Sequence, residues 1–313
     1  MNKPRFLNSI NFTSFYGLFA IILVIIGIFI GLTPFHPPEA NDYKGVEAEV
    51  SLEEVKNHLE AIAQAPHPVG SPEHERVKNY LIETLEEMGL AVEIQDTITY
   101  APGVNTSSSV QNIMTRIDGT NPTGTVMLAA HYDTSFVSPG ASDDGYGVAA
   151  LLEAARLLKD KPLKNNLIIL ITDAEELGLI GAHAFVKEHP WAKEVDLVLN
   201  FEARGNTGST VMFETSNGNK NLIKEFQEAT NYPASNSFLK EVYDVMPNGT
   251  DLTEFVRTGM QALNFASAQG FNGYHTTIDS LAFMNEDTVM HHATYAYALA
   301  NHFTNIDLRR IEN

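Results

Sequence analysis

The chain has 313 residues, 44% of them apolar, room for one large α/β domain and an appendage. Its 39 acidic against 20 basic residues give a formal net charge of −19, which excludes nucleic acid and anionic lipid headgroups as natural partners. It has no cysteine, so disulfides and thiolate sites are excluded and any metal must be held by His, Asp and Glu.

In chain order, the first ten residues carry Lys3 and Arg5 and no acid. Residues 15–32 follow without a charge, long enough to cross a bilayer as a helix. A cleavable signal peptide has an apolar core of about 7–15 residues and a small-x-small cleavage site. Here the core is longer, and Thr33-Pro34-Phe35-His36-Pro37-Pro38 stands where that site belongs. The expectation is an uncleaved transmembrane signal anchor at 15–32 behind a cytoplasmic tail at 1–14. Lys3 and Arg5 before the span, with Glu39, Asp42, Glu47 and Glu49 after it, put the N-terminus inside. The remainder is then extracytoplasmic or lumenal, with a linker at 33–50 and one soluble domain at 51–313.

The soluble domain opens on Ser51-Leu52-Glu53-Glu54, a capping box, with Val55, Leu59 and Ile62 following at helical spacing. A second helix starts at Ser71-Pro72 and stops at Gly89. Residues 91–100 and 111–117 alternate apolar and polar, as half-buried strands do. Buried strands are expected at 125–130, 167–171 and 195–201, with further strands at 210–214 and 261–265. Helices are expected at 148–158, from the acid pair Glu175-Glu176 to about 188, after Gly218, from near Thr250, and from Asn285 to about 305. Residues 213–219, 235–247 and 269–273 are read as loops. Alternation of near-continuous apolar strands with helices predicts a three-layer α/β domain around a central mixed, mostly parallel sheet.

Ligands of open α/β sheets sit outside the carboxyl ends of the strands. Those ends carry His131 and Asp133, then Glu175 and Glu176, then Glu202, with Asp143 and Asp144 in a Gly-rich loop and His275 after the last strand. Each alone reads as a capped turn or solvated acid, and the acid pair as the first turn of a helix. Several at one sheet edge would repel one another unless cations neutralise them. Oxygen and imidazole ligands without sulfur fit Zn²⁺, with Mn²⁺ or Co²⁺ as replacements. The number of ligands points to two ions bridged by a carboxylate and a water. Two divalent ions against three ligand carboxylates leave one positive charge, which a bridging hydroxide cancels.

The order His131-x-Asp133, Gly140-Ala-Ser-Asp143-Asp, Glu175-Glu176, Glu202 and Tyr274-His275-Thr276 resembles the co-catalytic zinc aminopeptidase family. Its members include bacterial leucyl aminopeptidases, glutamate carboxypeptidase and, more distantly, glutaminyl cyclase. The anchored layout, with His-Pro-Val-Gly-Ser-Pro-Glu-His at 67–74, looks most like the endoplasmic-reticulum and vacuolar membrane metallopeptidase branch. The resemblance implies a dizinc aminopeptidase acting on peptides, with Asp143 bridging two zinc ions, His131 and Glu202 completing one site, and Glu176 and His275 the other. Many relatives have Asp at the position of Glu202. Glu175 would be the general base for a metal-bridging water, and Tyr274 a donor to the developing oxyanion or a packing aromatic.

Asp133, two residues from His131 and so on the same side of a strand, would orient that imidazole, and Asp279 would do the same for His275. Arg204 would face substrate or pair with surplus acids, and Asp251 is read as a helix-start acid. The remaining histidines, among them His67, His74, His291 and His292, lack metal-like spacing and are read as surface or helix-face residues. Two alternatives stand beside the hydrolase: a glutaminyl-cyclase-like acyl transferase, and an inactive peptidase-like ectodomain that binds a partner. The intact ligand order speaks against both. Substrate preference and oligomeric state are not legible.

Overall fold

The computed structural model describes residues 12–246 and 249–311, apart from the side chains of 12–15, 32 and 34. Lys3 and Arg5, which carry the expected topology, and Pro247 of the 235–247 loop lie outside the described residues. Helix α1 (Phe12–Leu32) takes up the apolar N-terminal run. Among the described residues no helix is long and apolar enough to cross a membrane. In α1 the described side chains are those of residues 16–31, and all are exposed.

Ser51 caps α2 (Leu52–Ile62) and Ser71 caps α3 (Pro72–Glu87), each accepting from the backbone N–H three residues on. Their apolar stripes, including Val55, Leu59, Val77 and Leu81, are fully buried. Strands β1 (Val92–Ala101) and β2 (Thr106–Ile117) form a hairpin. β2 starts at Thr106, earlier than the alternation at 111–117 indicates, because Thr106 to Ser109 pair with the second half of β1.

The core strands are β3 (Thr125–His131), β4 (Asn166–Thr172), β5 (Leu197–Ala203) and β7 (Gln261–Gln269), with β6 (Thr207–Thr215) on the far edge. The sheet order is β1-β2-β4-β3-β5-β7-β6. Its centre, β4-β3-β5-β7, is parallel, whereas β1, β2 and β6 join antiparallel. The expected mixed sheet is present, but "mostly parallel" describes only this centre. Both faces are covered, as nearly continuous apolar strands require. Helices α4 (Gly145–Leu158) and α9 (Glu286–Phe303) pack with α2 over one face, and α5 (Ile180–Glu188) with α8 (Asp251–Val256) over the other. Helices α6 (Lys220–Ala229) and α7 (Ser237–Asp244) lie between β6 and α8 in the chain. Residues 237–244 were expected to be loop, so α7 is a departure.

Of the histidines expected at the surface or on helix faces, His74, His291 and His292 do lie on helices, but these and His67 are buried rather than exposed. His74 Nε2 lies 2.8 Å from Asp173 Oδ1 and its ring stacks on Tyr132. This ties α3 to the end of β4. On α9, His291 Nδ1 accepts the Thr210 N–H at 3.1 Å, which holds the ring neutral. Burial lowers the pKa of His291 to about 4 and of His292 to about 3. The unfolded value is about 6.5, so between pH 6.5 and 4 the unfolded chain binds protons that the folded one refuses. Stability is therefore full above pH 6.5 and falls through that window, each imidazole adding about 1.4 kcal/mol per pH unit. Denaturant titrations at several pH values should show this slope, and His291→Gln should reduce it by the share of one imidazole, about 1.4 kcal/mol per pH unit. An unchanged slope in the variant would remove His291 from the account.

Candidate metal centre

Because β3, β4, β5 and β7 are parallel, their carboxyl ends share one edge. His131 is the last residue of β3 and Glu202 the last but one of β5. Asp143 lies in the loop before α4, whose N-cap is Asp144. The Asp144 carboxylate accepts the Gly147 N–H at 3.1 Å and the His131 N–H at 3.2 Å.

Glu175 and Glu176 do not begin a helix. Helix α5 starts at Ile180, and the acids occupy a turn closed by the N–H groups of Gly178 and Leu179, both donating to the Glu175 carbonyl at 2.8 Å. Gly178 has φ +112, and a Cβ there would strike Val104, so the turn needs a glycine at that point. The carboxylate of Asp133 accepts the N–H of Glu175 at 2.9 Å and of Glu176 at 3.2 Å. Asp133 also stands beside His131 as expected, though it meets the imidazole through its backbone. His131 Nδ1 donates to the Asp133 carbonyl at 2.9 Å, with the carboxylate at 3.6 Å. Strand β3 ends at His131, so the two-residue alternation no longer holds at Asp133.

Two groups of possible ligand atoms result, His131–Asp143–Glu202 and Asp143–Glu176–His275, each with its atoms within 4.8 Å of one another. His131 Nε2 is 3.3 Å from Asp143 Oδ1 and 3.7 Å from Glu202 Oε2. His275 Nε2 is 3.1 Å from Asp143 Oδ2 and 3.0 Å from Glu176 Oε1. Asp143 is thus common to both groups and offers one oxygen to each. Its neighbour Asp144 belongs to neither.

Asp143 Oδ2, Glu176 Oε1 and His275 Nε2 are buried and have no hydrogen-bond partner. Such atoms are costly to bury unless something else satisfies them. Three converging ones, all lone-pair donors with neutral imidazole, fit divalent cations. Burial alone would lower the pKa of His275, yet Asp143 and Glu176 raise it to about 9. Burial would raise Asp143, but the imidazoles of His131 and His275 hold it below the usual carboxylate range.

Glu175 belongs to neither group. It is only partly exposed, and desolvation, with Glu202, Asp251 and Glu176 nearby, holds its carboxyl well above the usual range despite His131. Its side chain lines a cavity together with Glu202, Arg204 and Tyr274. The Tyr274 ring stacks on His275 at 3.7 Å between centroids, and the Arg204 guanidinium lies 4.7 Å over the Tyr274 ring. Arg204 forms no ion pair among the described residues, so it does not absorb surplus acids.

Asp279 does not reach His275. It accepts from Ser142 N at 2.8 Å, Ser142 Oγ at 2.6 Å, and Asp143 N and Ser138 Oγ at 3.2 Å, so it grips the loop that presents Asp143. His275 itself stands in the left-handed region, at φ +55. Asp251 starts α8 as expected but is buried, accepts from Thr172, and has one oxygen without a partner. Burial pushes its pKa up to about 7. No local spacing reveals these last two environments.

The profile of Peptidase family M28 matches residues 112–300. A vacuolar membrane protease of Candida albicans is 32% identical over 238 residues, covering 74% of this chain and 28% of that protein. The chain therefore spans less than a third of that relative's length. Among solved structures, an aminopeptidase from Aneurinibacillus superposes with a TM-score of 0.66 at 15% identity, covering 82% of this chain and 94% of that one. A Porphyromonas gingivalis glutaminyl cyclase reaches 0.64 at 20% identity, covering 80% and 98%. At these identities the structural likenesses concern the fold alone.

Proposed function

The chain belongs to peptidase family M28, and from that premise we propose that it is a dizinc exopeptidase acting at the amino end of peptides. The reading is carried by Asp143, which stands in both ligand groups, its own Oδ2 and the facing Glu176 Oε1 and His275 Nε2 all buried without a hydrogen bond. His131 and Glu202 would hold one ion, Glu176 and His275 the other, with Asp143 between them. When bound, such ions supply Lewis acidity toward the scissile carbonyl and acidify water near neutral pH.

The chain's own groups do the rest. The Glu175 carboxylate, outside both ligand groups, takes a proton from the attacking water and passes it to the leaving amine. Asp133 fixes the turn so that Glu175 and Glu176 can serve different tasks. Tyr274, which lines the same cavity as Glu175, donates its hydroxyl to the carbonyl oxygen as charge develops, and Arg204 over its ring bears on substrate. The Tyr274–His275 stack orients both rings.

The full ligand set supports a hydrolase over a cyclase-like acyl transferase or an inactive binding ectodomain. The acidic rim of the site suits a substrate ammonium, which favours the aminopeptidase direction. Assays on aminoacyl amides and their N-blocked counterparts, with zinc or with a chelator, test this. Free-amine substrates should be cleaved, N-blocked ones spared, and the chelator should abolish turnover. Preference for blocked substrates would reverse the direction.

We also propose that α1 is a membrane anchor. The proposal rests on the sequence: residues 15–32 carry no charge and reach past the side chains described in α1, and at about 1.5 Å per residue such a run approaches a hydrocarbon core of roughly 30 Å. The positive-inside bias of Lys3 and Arg5 in the sequence supports a peptidase domain outside the cytoplasm or in a lumen. After an alkaline carbonate wash the full-length protein should stay with the membranes. Release into the supernatant would discard the anchor.

A further inference from the structure

The exposed large apolar side chains outside α1 are not spread evenly, and several stand around the metal centre. Phe136, 77% exposed, lines a cleft with Glu176 and His275. Phe271, 73% exposed, accepts the Tyr274 N–H on its carbonyl at 3.2 Å. Phe283 is tied to the same rim, its carbonyl accepting from Asn206 Nδ2 at 3.0 Å just past the end of β5. Val104 overlies the turn of Glu175 and Glu176, where it blocks any side chain at Gly178.

The opposite edge of the sheet is different. Loops 118–124, 159–165, 189–196 and 257–260 lead into the core strands, and among the described residues they hold none of these exposed apolar side chains. They carry charge instead, with Asp118, Asp160, Lys193 and Glu194 exposed.

The chain leaves α1 at the apolar edge. One turn (Thr33–Phe35) follows the helix, and the Phe35 carbonyl accepts from Gln269 Nε2 at 2.6 Å. Gln269 ends β7, in the segment that runs on to Tyr274 and His275. The three residues past Leu32 reach at most roughly 11 Å, so this edge stands close to the end of α1. The joint is also fastened. Ala40 N–H donates to Asp287 Oδ1 at 2.8 Å, and Tyr43 is buried edge-on against Tyr232. The buried Glu47 carboxylate accepts from the Thr230 hydroxyl and the Asn231 N–H. With the joint held along the domain, the domain has little freedom to turn away from the anchor.

We propose that the metal-bearing edge faces the bilayer, with Phe136, Phe271 and Phe283 resting in the interface of zwitterionic lipid, so that peptides reach the centre along the membrane surface. The proposal rests on the anchor and peptidase readings above. An exposed apolar rim marks a binding surface. Lipid is its occupant because α1, joined at the same edge, brings lipid there, and aromatic side chains settle at the headgroup boundary. The net charge of −19 sets anionic lipid aside.

The absence of cysteine lets a polarity-sensitive fluorophore be attached at one chosen position. Phe136→Cys, Phe271→Cys and Lys193→Cys, all at exposed positions, are labelled in turn. Each full-length protein is reconstituted in phosphatidylcholine vesicles containing spin-labelled lipid as quencher. Labels at 136 and 271 should be quenched about twofold or more, and the label at 193 should be unaffected. A second arm uses free-amine peptides tethered to the lipid by their carboxyl ends. A spacer of about 15 Å, too short to pass round a domain with a radius of gyration of about 18 Å, should serve as well as one of about 60 Å.

Labels at 136 and 271 that are quenched no more than the label at 193 overturn the proposal, and protein still held by the vesicles then keeps the anchor. Protein recovered outside the vesicles discards the anchor and the proposal with it. Cleavage with the long spacer alone turns the centre away from the membrane and overturns the proposal as well. If the labels report lipid at the rim and neither peptide is cleaved, the orientation stands and the peptidase reading fails.

Discussion

Glu175→Gln should retain the metal content of the wild type and lose about a thousandfold in kcat, within the 10²–10⁴ range of a positioned general base. The substitution keeps size and hydrogen-bonding reach and removes only the ability to take a proton. Glu175 lends no atom to either ligand group, so metal binding has no reason to change. Its backbone N–H is held by Asp133 and its carbonyl closes the turn, and neither contact involves the side chain. The fold should therefore be undisturbed. Metal analysis and steady-state kinetics on the same preparation check both halves. Near wild-type turnover would end the assignment of Glu175 as the proton carrier. Loss of metal along with activity would make it a ligand instead.

Asp143→Ala has the second large expected effect. Asp143 gives one oxygen to His131's group and the other to His275's, so removing its carboxylate strips a shared ligand from both. Each group is left with one imidazole and one carboxylate, too few for a stable site in a zinc peptidase, where three protein ligands are usual. The loss in affinity should exceed the 10- to 100-fold that outer-shell partners cost, and both ions should be lost on dialysis. Glu202→Ala removes a ligand from one group alone. It should leave the Asp143–Glu176–His275 group intact and retain about one ion per chain. The contrast between the two variants, measured as metal per chain, separates a shared ligand from two independent sites. Equal losses in both would contradict the sharing.

Much of this was legible in the sequence, for identifiable reasons. The buried parallel strands are near-continuous apolar runs, and their carboxyl ends are where a ligand must sit, so His131, Glu202 and the acid pair could be placed without coordinates. Choosing Asp143 over Asp144 rested on the resemblance, and the geometry separates them: one points into both ligand groups, the other caps α4. What escaped depends on distant partners. Asp279 was given to His275, four residues away, whereas its carboxylate is used by Ser142 and Asp143 more than 130 residues earlier. Asp133 was placed by strand periodicity two residues after the strand had ended, so its contact with His131 runs through the carbonyl and its carboxylate holds the Glu175–Glu176 turn. Helix α7 was missed because its stripe faces a cavity rather than the core, although Leu239, Val242, Tyr243 and Met246 carried the helical spacing. The buried histidines were read only as surface or helix-face residues because burial of an imidazole leaves no mark in spacing.

The pairing of sites around Asp143 is the claim on which the other assignments depend, and zinc bound per chain tests it most directly. The full-length protein, loaded with zinc and dialysed to equilibrium, should retain two ions per chain by elemental analysis. A single retained ion would contradict the dinuclear reading and move the chemistry toward acyl transfer at a one-metal site.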